Sequence, residues 1–279
     1  MSRVESMQWV RSSDGSTSLT LRSPCLVCKT MPLFLISSQS IHEGLITLDP
    51  AESHHLAHVL RKKTGDVITL THGEGDSFEA KILQTRGNVV LEILSSKKFA
   101  STESPQILLA IALLKGPRMD WLIEKATELG ARQILPFTSE RCVVKPGGPQ
   151  DQIKKIQRWT RISEAALKQS AQTLLPQVGP LLSFSELLDR TRGREALKIL
   201  FSPDIEGKGS ARPLEIIVSK KPPPFWWAVI GPEGGFSPRE VSAAKNAGFQ
   251  LATLGNYTLR AETAAIAALS VINHLKGGS

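Results

Sequence analysis

The feature that most constrains this chain is the regular exchange of apolar runs and one-faced helices from residue 106 onward. "QILLAIALL" (106–114) is apolar after its first residue. A run without period-two alternation is a strand covered on both faces, the condition of a parallel sheet. "PRMDWLIEKATELG" follows, with Met119, Leu122, Ile123, Ala126 and Leu129 at spacings of three and four and Gly130 closing it. That spacing predicts an amphipathic helix ending on its glycine. "RQILPF", "LKILFS" and "FWWAVI" read as further strands, and "DQIKKIQRWTRISEAALKQSAQ" as a long basic helix. Strands alternating with crossover helices give an α/β domain on a parallel sheet, here over residues 105–279.

The front of the chain has a different grammar. From Met31 to about Leu94 it holds short apolar strands, "PLFLI", "GLITL", "NVVLEIL", and a strand–turn–strand in "DVITLTHGEGDSFEAKIL". One helical stretch, "DPAESHHLAHVLRKK", opens with Asp49 as N-cap and Pro50 at the first helical position. Residues 31–98 thus read as a small β-barrel-like module with one helix. The charged segment "SSKKFASTESP" (95–105) is the expected linker. Residues 1–30 are rich in Ser and Thr and lack periodicity, as in a leader or disordered tail ahead of Met31; no apolar stretch of a secretory signal is present.

Composition narrows the partners. At 41% hydrophobic and 22% charged, the 279 residues are of ordinary globular make-up. The chain carries 34 Lys and Arg against 26 Asp and Glu, a net charge of +8. Residues 1–100 hold 11 basic and 10 acidic side chains, so most of the excess lies beyond them. Such a balance favours a polyanion, above all nucleic acid. Three cysteines make no disulfide framework, and Cys25 and Cys28 have no second pair to complete a metal site. No metal is expected, and a reducing, cytoplasmic setting fits. No apolar run reaches the ~18 residues of a membrane span.

Two loops stand out. "VIGPEGGFSPREV" (229–241) sends a strand into Gly231-Pro232-Glu233-Gly234-Gly235, and Ser237-Pro238-Arg239-Glu240 then opens a helix as a capping box. The loop lies at the carboxyl end of a parallel strand, where open α/β sheets bind ligands. It reads either as a tight structural turn or as a backbone cradle. Glu233 would repel a phosphate, so the ligand would carry positive charge or many hydrogen-bond groups. One strand later "FQLATLG" ends on Gly255, and Arg260, Glu262 and Thr263 begin an alanine-rich helix. A carboxylate there complements the helix dipole in any case. No G-x-G-x-x-G follows a strand, since Gly73-Glu74-Gly75 lies in a hairpin, and no P-loop is present, which argues against dinucleotide and nucleotide-triphosphate sites.

"HVLRKKTGD" (58–66), "IEKATELGARQILPFTSERCVVK" (123–145), "IGPEGGFSPREV" (230–241) and "LGNYTLRAETA" (254–264) resemble the RsmE family of 16S rRNA uridine-N3 methyltransferases, within the knotted SPOUT superfamily. The resemblance runs from about Met31 to the C-terminus. It implies a PUA-like RNA-binding barrel ahead of an α/β domain tied in a trefoil knot, an exception to the usual topology rules. It further implies a homodimer that binds S-adenosyl-L-methionine and acts on 16S rRNA of the small ribosomal subunit. By position the cofactor loops would be Phe201-Ser202-Pro203, Ile230 through Gly235, Leu254-Gly255, and Leu259, Arg260 and Thr263. Glu262 would take the N3 proton and Arg260 would steady the uracil oxygen. Arg61, Lys62 and Lys63 on the barrel, with Arg118 and Arg141 on the catalytic domain, would meet RNA.

The chain departs from that pattern at three places where the family commonly has arginine: Leu33, Gln172 and Tyr257. These touch RNA docking and the choice of target, not the cofactor loops. Two other readings share the same residues: a knotted methyltransferase acting on another rRNA or a tRNA site, and a catalytically silent RNA-binding assembly factor. Retention of Arg260, Glu262 and the glycines speaks against the second, and the barrel-like front half against the first.

Overall fold

The fold is taken from a computed structural model, which describes residues 7–11, 17–21, 33–37, 40–98, 105–170, 172–193, 195–202, 212–213 and 223–277. At the start, β1 (Met7–Arg11) and β2 (Thr17–Leu21) pair antiparallel. A six-stranded sheet follows, from β3 (Leu33–Leu35), β4 (Ile41–His42), β5 (Leu45–Thr47), β6 (Val67–Thr71), β7 (Asp76–Gln84) and β8 (Val90–Lys98), in the order β3-β6-β7-β8-β5-β4. Only β3–β6 is parallel. Alternate residues point inward, so Ile68 and Leu70, Ala80 and Ile82, and Val89 and Leu91 share a core with Phe34, Ile46 and Leu56. Leu33 is buried too, so an apolar side chain suits that position.

The expected helix forms, but not to its full length. Asp49 caps α1 (Pro50–His54), accepting the amide of Glu52 at 2.8 Å with Pro50 at the first turn. The chain then widens into a π-helical turn over His55–Val59, and Leu60 ends it. Arg61-Lys62-Lys63 therefore lies beyond the helix, with Arg61 at φ 53°. The linker also begins later than expected. β8 continues through Ser95 to Lys98 because β7 is long enough to pair with it, Asp76 opposite Lys98.

The second sheet is parallel throughout. Its strands are β9 (Gln106–Ala112), β10 (Gln133–Thr138), β11 (Gln177–Val178), β12 (Leu182–Ser183), β13 (Ala196–Phe201), β14 (Arg212–Pro213), β15 (Phe225–Ile230) and β16 (Gln250–Thr253). The order is β11-β10-β9-β15-β13-β16-β14, with β12 also on β10. Both faces are covered, as the unbroken apolar runs require. Ile107, Leu109 and Ile111 of β9 with Trp226 and Ala228 of β15 face α2 (Pro117–Glu128), α3 (Pro149–Ser170) and α6 (Ala261–Gly277). Leu108, Ala110 and Ala112 with Trp227 and Val229 face α4 (Phe184–Arg190) and α5 (Pro238–Asn246). Truncating a buried tryptophan of this kind costs about 3–5 kcal/mol.

The two sheets are clasped at one point. The β6–β7 hairpin tip lies against residues 173–175: Gly75 N–H donates to the Thr173 carbonyl (2.9 Å) and Leu175 N–H to the Gly73 carbonyl (2.8 Å). The Thr71 hydroxyl donates to Thr173 O at 3.1 Å, and Lys168 of α3 ion-pairs with Glu52 of α1. Among the described residues no helix is long and apolar enough to cross a membrane, and no cluster of His, Cys, Asp and Glu is placed to hold a metal ion. Cys25 and Cys28 lie outside the described residues.

Candidate active site

The carboxyl ends of β15, β13 and β16 stand side by side, with Phe201 level with Ile230 and with Ala252. The loop after β16 is pinned at its start. Gly255 sits at φ 107°, where a side chain would be strained, and its carbonyl accepts the Thr253 hydroxyl at 2.9 Å. Ser202 N–H donates to Ala252 O at 3.1 Å and ties the β13 loop to it. Between these two loops opens a cavity of about 500 Å³ whose wall includes Phe201, Ser202, Leu254, Gly255 and Leu259. Its wall mixes apolar side chains with polar ones such as Thr253 and Asn256, and no atom lies within 4 Å of where a Gly255 Cβ would stand.

The Gly231–Gly235 loop is built differently. β13 separates β15 from β16, so the strands leading into the two glycine loops lie two strand spacings apart, about 9–10 Å. Gly235 N–H donates to Pro232 O at 2.8 Å, closing a tight turn with Gly235 at φ 67°. A Cβ on Gly231 would stand 2.8 Å from the Phe236 ring, and one on Gly234 would stand 3.1 Å from Arg141 Cβ. The Arg141 guanidinium donates to Gly234 O at 3.1 Å. Ser237 and Glu240 form the expected capping box, and the buried Glu240 carboxylate also accepts the Glu140 amide at 3.0 Å. This loop is a packed turn, supported from below by Phe236 and from the side by Arg141.

Arg118 joins the two parts. On the first turn of α2, its guanidinium lies 2.9 Å from Glu233 Oε1 and 3.8 Å from Glu262 Oε1. Glu262, in the first turn of α6, is only 9% exposed, and its Oε2 is buried with no hydrogen-bond partner. Leaving a buried carboxylate oxygen unpaired costs free energy, and an approaching donor or proton would relieve that cost. Arg260 is exposed, and its carbonyl accepts the Ala264 amide at 2.8 Å to begin the helix.

The RNA methyltransferase domain model matches residues 102–273, and the RNA methyltransferase PUA domain model matches residues 48–94. The ribosomal RNA small subunit methyltransferase E of Synechocystis sp. is 33% identical over 248 residues, covering 86% of this chain and 77% of that protein. This chain belongs to the ribosomal RNA small subunit methyltransferase E family. The Bacillus subtilis member is 30% identical, covering 86% and 94% of the two chains. The crystal structure of the Neisseria gonorrhoeae member bound to S-adenosyl methionine superposes with a TM-score of 0.74 at 31% identity, over 88% of this chain and 98% of that one.

Within this family member, the sequence-selected residues are not all brought to one place. Phe201, Ser202, Leu254, Gly255 and Leu259 line the cavity together. Ile230 through Gly235 are not on its wall and connect to the site through Arg118 and Glu262. Thr263 is exposed on α6, and Pro203 lies outside the described residues. Arg61 and Lys63 are exposed and Lys62 is half-buried. Arg118 and Arg141, expected at RNA, are exposed and also bond within the chain, Arg118 to Glu233 and Arg141 to the Gly234 carbonyl. Sequence reasoning missed Phe236 as a support, and it read Glu240 as part of the capping box but not as the acceptor of the Glu140 amide. The signal for Phe236 was an aromatic next to two glycines, a place where a ring has room.

Proposed function

We propose that this chain transfers a methyl group from S-adenosylmethionine to N3 of a specific uridine in 16S ribosomal RNA on assembled small subunits. Residues 31–98 then serve as the PUA-like RNA module and residues 105–279 as the catalytic domain, a trefoil-knotted SPOUT fold acting as a homodimer. The observation that carries the reading is the buried Glu262 carboxylate, held by Arg118 on one oxygen and unpartnered on the other, beside a nucleoside-sized cavity. The S-adenosyl methionine held by the Neisseria relative supports the choice of cofactor.

The residues present fit that cofactor. The cavity, about 500 Å³, is large enough for a nucleoside, and backbone groups along its wall can match adenine and ribose. Glu233 is neutralised by Arg118, so the rim bears no uncompensated carboxylate there. Phe201, Ser202, Leu254, Gly255 and Leu259 would hold it. When bound, S-adenosylmethionine supplies an electrophilic methyl on a sulfonium, so the protein's task is alignment and proton removal. Glu262 accepts the N3 proton at Oε2 while Arg118 keeps Oε1 engaged. The Arg260 guanidinium, free to swing from its exposed position, donates to the uracil oxygen that gains charge.

The test is methyl transfer to small subunits that lack the modification, with the product mapped by mass. Glu262→Gln should lower kcat by about 100-fold or more, the ordinary worth of a general base, with cofactor affinity retained. A rate within about threefold of wild type, or a label mapping to tRNA, overturns the reading.

A further inference from the structure

We propose that Tyr257 is a base-stacking platform for the substrate RNA, and so a specificity-determining residue at the methyl-transfer site. The inference rests on the rRNA methyltransferase reading above. Tyr257 is the only tyrosine in the chain, and at 87% exposure it is the most exposed large apolar side chain among the described residues. A lone exposed aromatic is ordinary on any surface. Its position gives it meaning. Asn256, Tyr257 and Thr258 form the outer lip of the 500 Å³ cavity, three residues ahead of Arg260 and five ahead of Glu262.

The lip is not a slack tether. Gly255 anchors one end through the Thr253 hydroxyl, and the Arg260 carbonyl anchors the other by opening α6. The ring therefore stands on the wall of the cavity, on a loop fixed at both ends, while almost all of it faces solvent. A base drawn out of its stack toward Glu262 loses its neighbours, and an aromatic face replaces them. Stacking of this kind accepts any base and carries no charge. A tyrosine at the lip also has no cation to offer a phosphate. The contact must then strengthen RNA binding without contributing to its salt dependence, which separates it from the basic residues.

The experiment compares wild type, Tyr257→Ala, Tyr257→Phe and Tyr257→Arg, each as the full chain. The probes are small ribosomal subunits lacking the modification, labelled S-adenosylmethionine, and sedimentation. Tyr257→Ala should raise KM for subunits about tenfold, with an unchanged slope of log affinity against log salt. Tyr257→Phe should stay within about twofold of wild type, because the ring is kept. Tyr257→Arg should restore affinity and steepen the slope by about 0.7 to 0.9. Cofactor Kd should stay within about twofold throughout. An unchanged KM in Tyr257→Ala overturns the proposal. So does a loss of cofactor affinity, which makes the ring a wall of the cofactor site, or a shift in sedimentation, which makes it a contact between copies. Failure of the function itself looks different: the wild-type chain would then transfer no methyl to the subunits.

Discussion

At the scale of single residues, Arg118 is the side chain on which the two loops depend. It meets Glu233 at 2.9 Å and Glu262 at 3.8 Å, although the first sits on the loop after β15 and the second on the first turn of α6. Replacing it with Met keeps the length of the side chain and removes the charge, so Glu262 loses the group that fixes Oε1. Misplaced by even an ångström, a general base loses much of its effect. Arg118→Met should lower the single-turnover methyl-transfer rate by about 10- to 100-fold while leaving the salt slope of RNA binding as it was. A fall in that slope instead would return Arg118 to the phosphate contacts. Gly231 gives a second, purely steric prediction. An added Cβ would stand 2.8 Å from the Phe236 ring, which is itself fully buried between Phe137 and Phe184 and has nowhere to retreat. Gly231→Ala should cost about 1–3 kcal/mol in chemical denaturation, the range of an overpacked core.

At the scale of elements, the parts governed by local rules were legible in the sequence. "FWWAVI" is a strand from its first residue to its last because six apolar residues with two adjacent tryptophans need two covered faces. Ser237-Pro238-Arg239-Glu240 is a helix start because cap, proline and reciprocal glutamate lie within four residues. What could not be read was set by distant partners: the extra length of β8 comes from β7, and the widening at His55–Val59 has no local breaker. The hairpin clasp belongs here as well. Gly73 and Gly75 announced a turn, but nothing nearby announced Thr173 and Leu175. A Cβ on Gly73, at φ 82°, would stand 2.8 Å from Leu175 Cβ. Gly73→Ala should therefore unseat the clasp, lowering the melting temperature and opening the 172–176 backbone to proteolysis. Cleavage no faster than in wild type would show that the clasp does not hold the two sheets. The same hairpin carries a pH signature. Burial pushes the Asp76 carboxyl up, but hydrogen bonds from the His72 ring and amide, the His72 charge and the Thr71 hydroxyl together outweigh it, and its pKa lies below the ordinary value. A depressed carboxylate contributes stability that is full above its unfolded pKa of about 3.9 and is lost as pH falls through the folded value. Asp76→Asn should flatten stability against pH below about 4 and leave the neutral range with only a uniform offset.

At the scale of the whole molecule, the sequence showed two modules and a basic excess but not how they are arranged. Strand order is a property of crossovers, and no spacing in "LKILFS" or "FWWAVI" says that β13 lies between β15 and β16. That one fact separates the two glycine loops and leaves the cavity to the β13 and β16 loops. The arrangement also divides the cations by their surroundings. Arg118 and Arg141 are held by groups of the catalytic domain, whereas Arg61 and Lys63 face solvent beyond the end of the π-helical turn. Lys63 is presented there by its own backbone, whose amide donates to Asp66 Oδ2 at 2.8 Å and turns the chain outward. If these residues meet rRNA phosphates, each releases about 0.7 counterions from a single strand and about 0.9 from a duplex. The triple change Arg61→Gln, Lys62→Gln and Lys63→Gln should then make the slope of log affinity against log salt shallower by about 2 to 3, with cofactor Kd unmoved. The effect should be the same for matched and mismatched RNA, because phosphates carry no sequence. A slope unchanged within about half a unit would place the RNA on another face and leave the +8 charge of the chain to serve elsewhere.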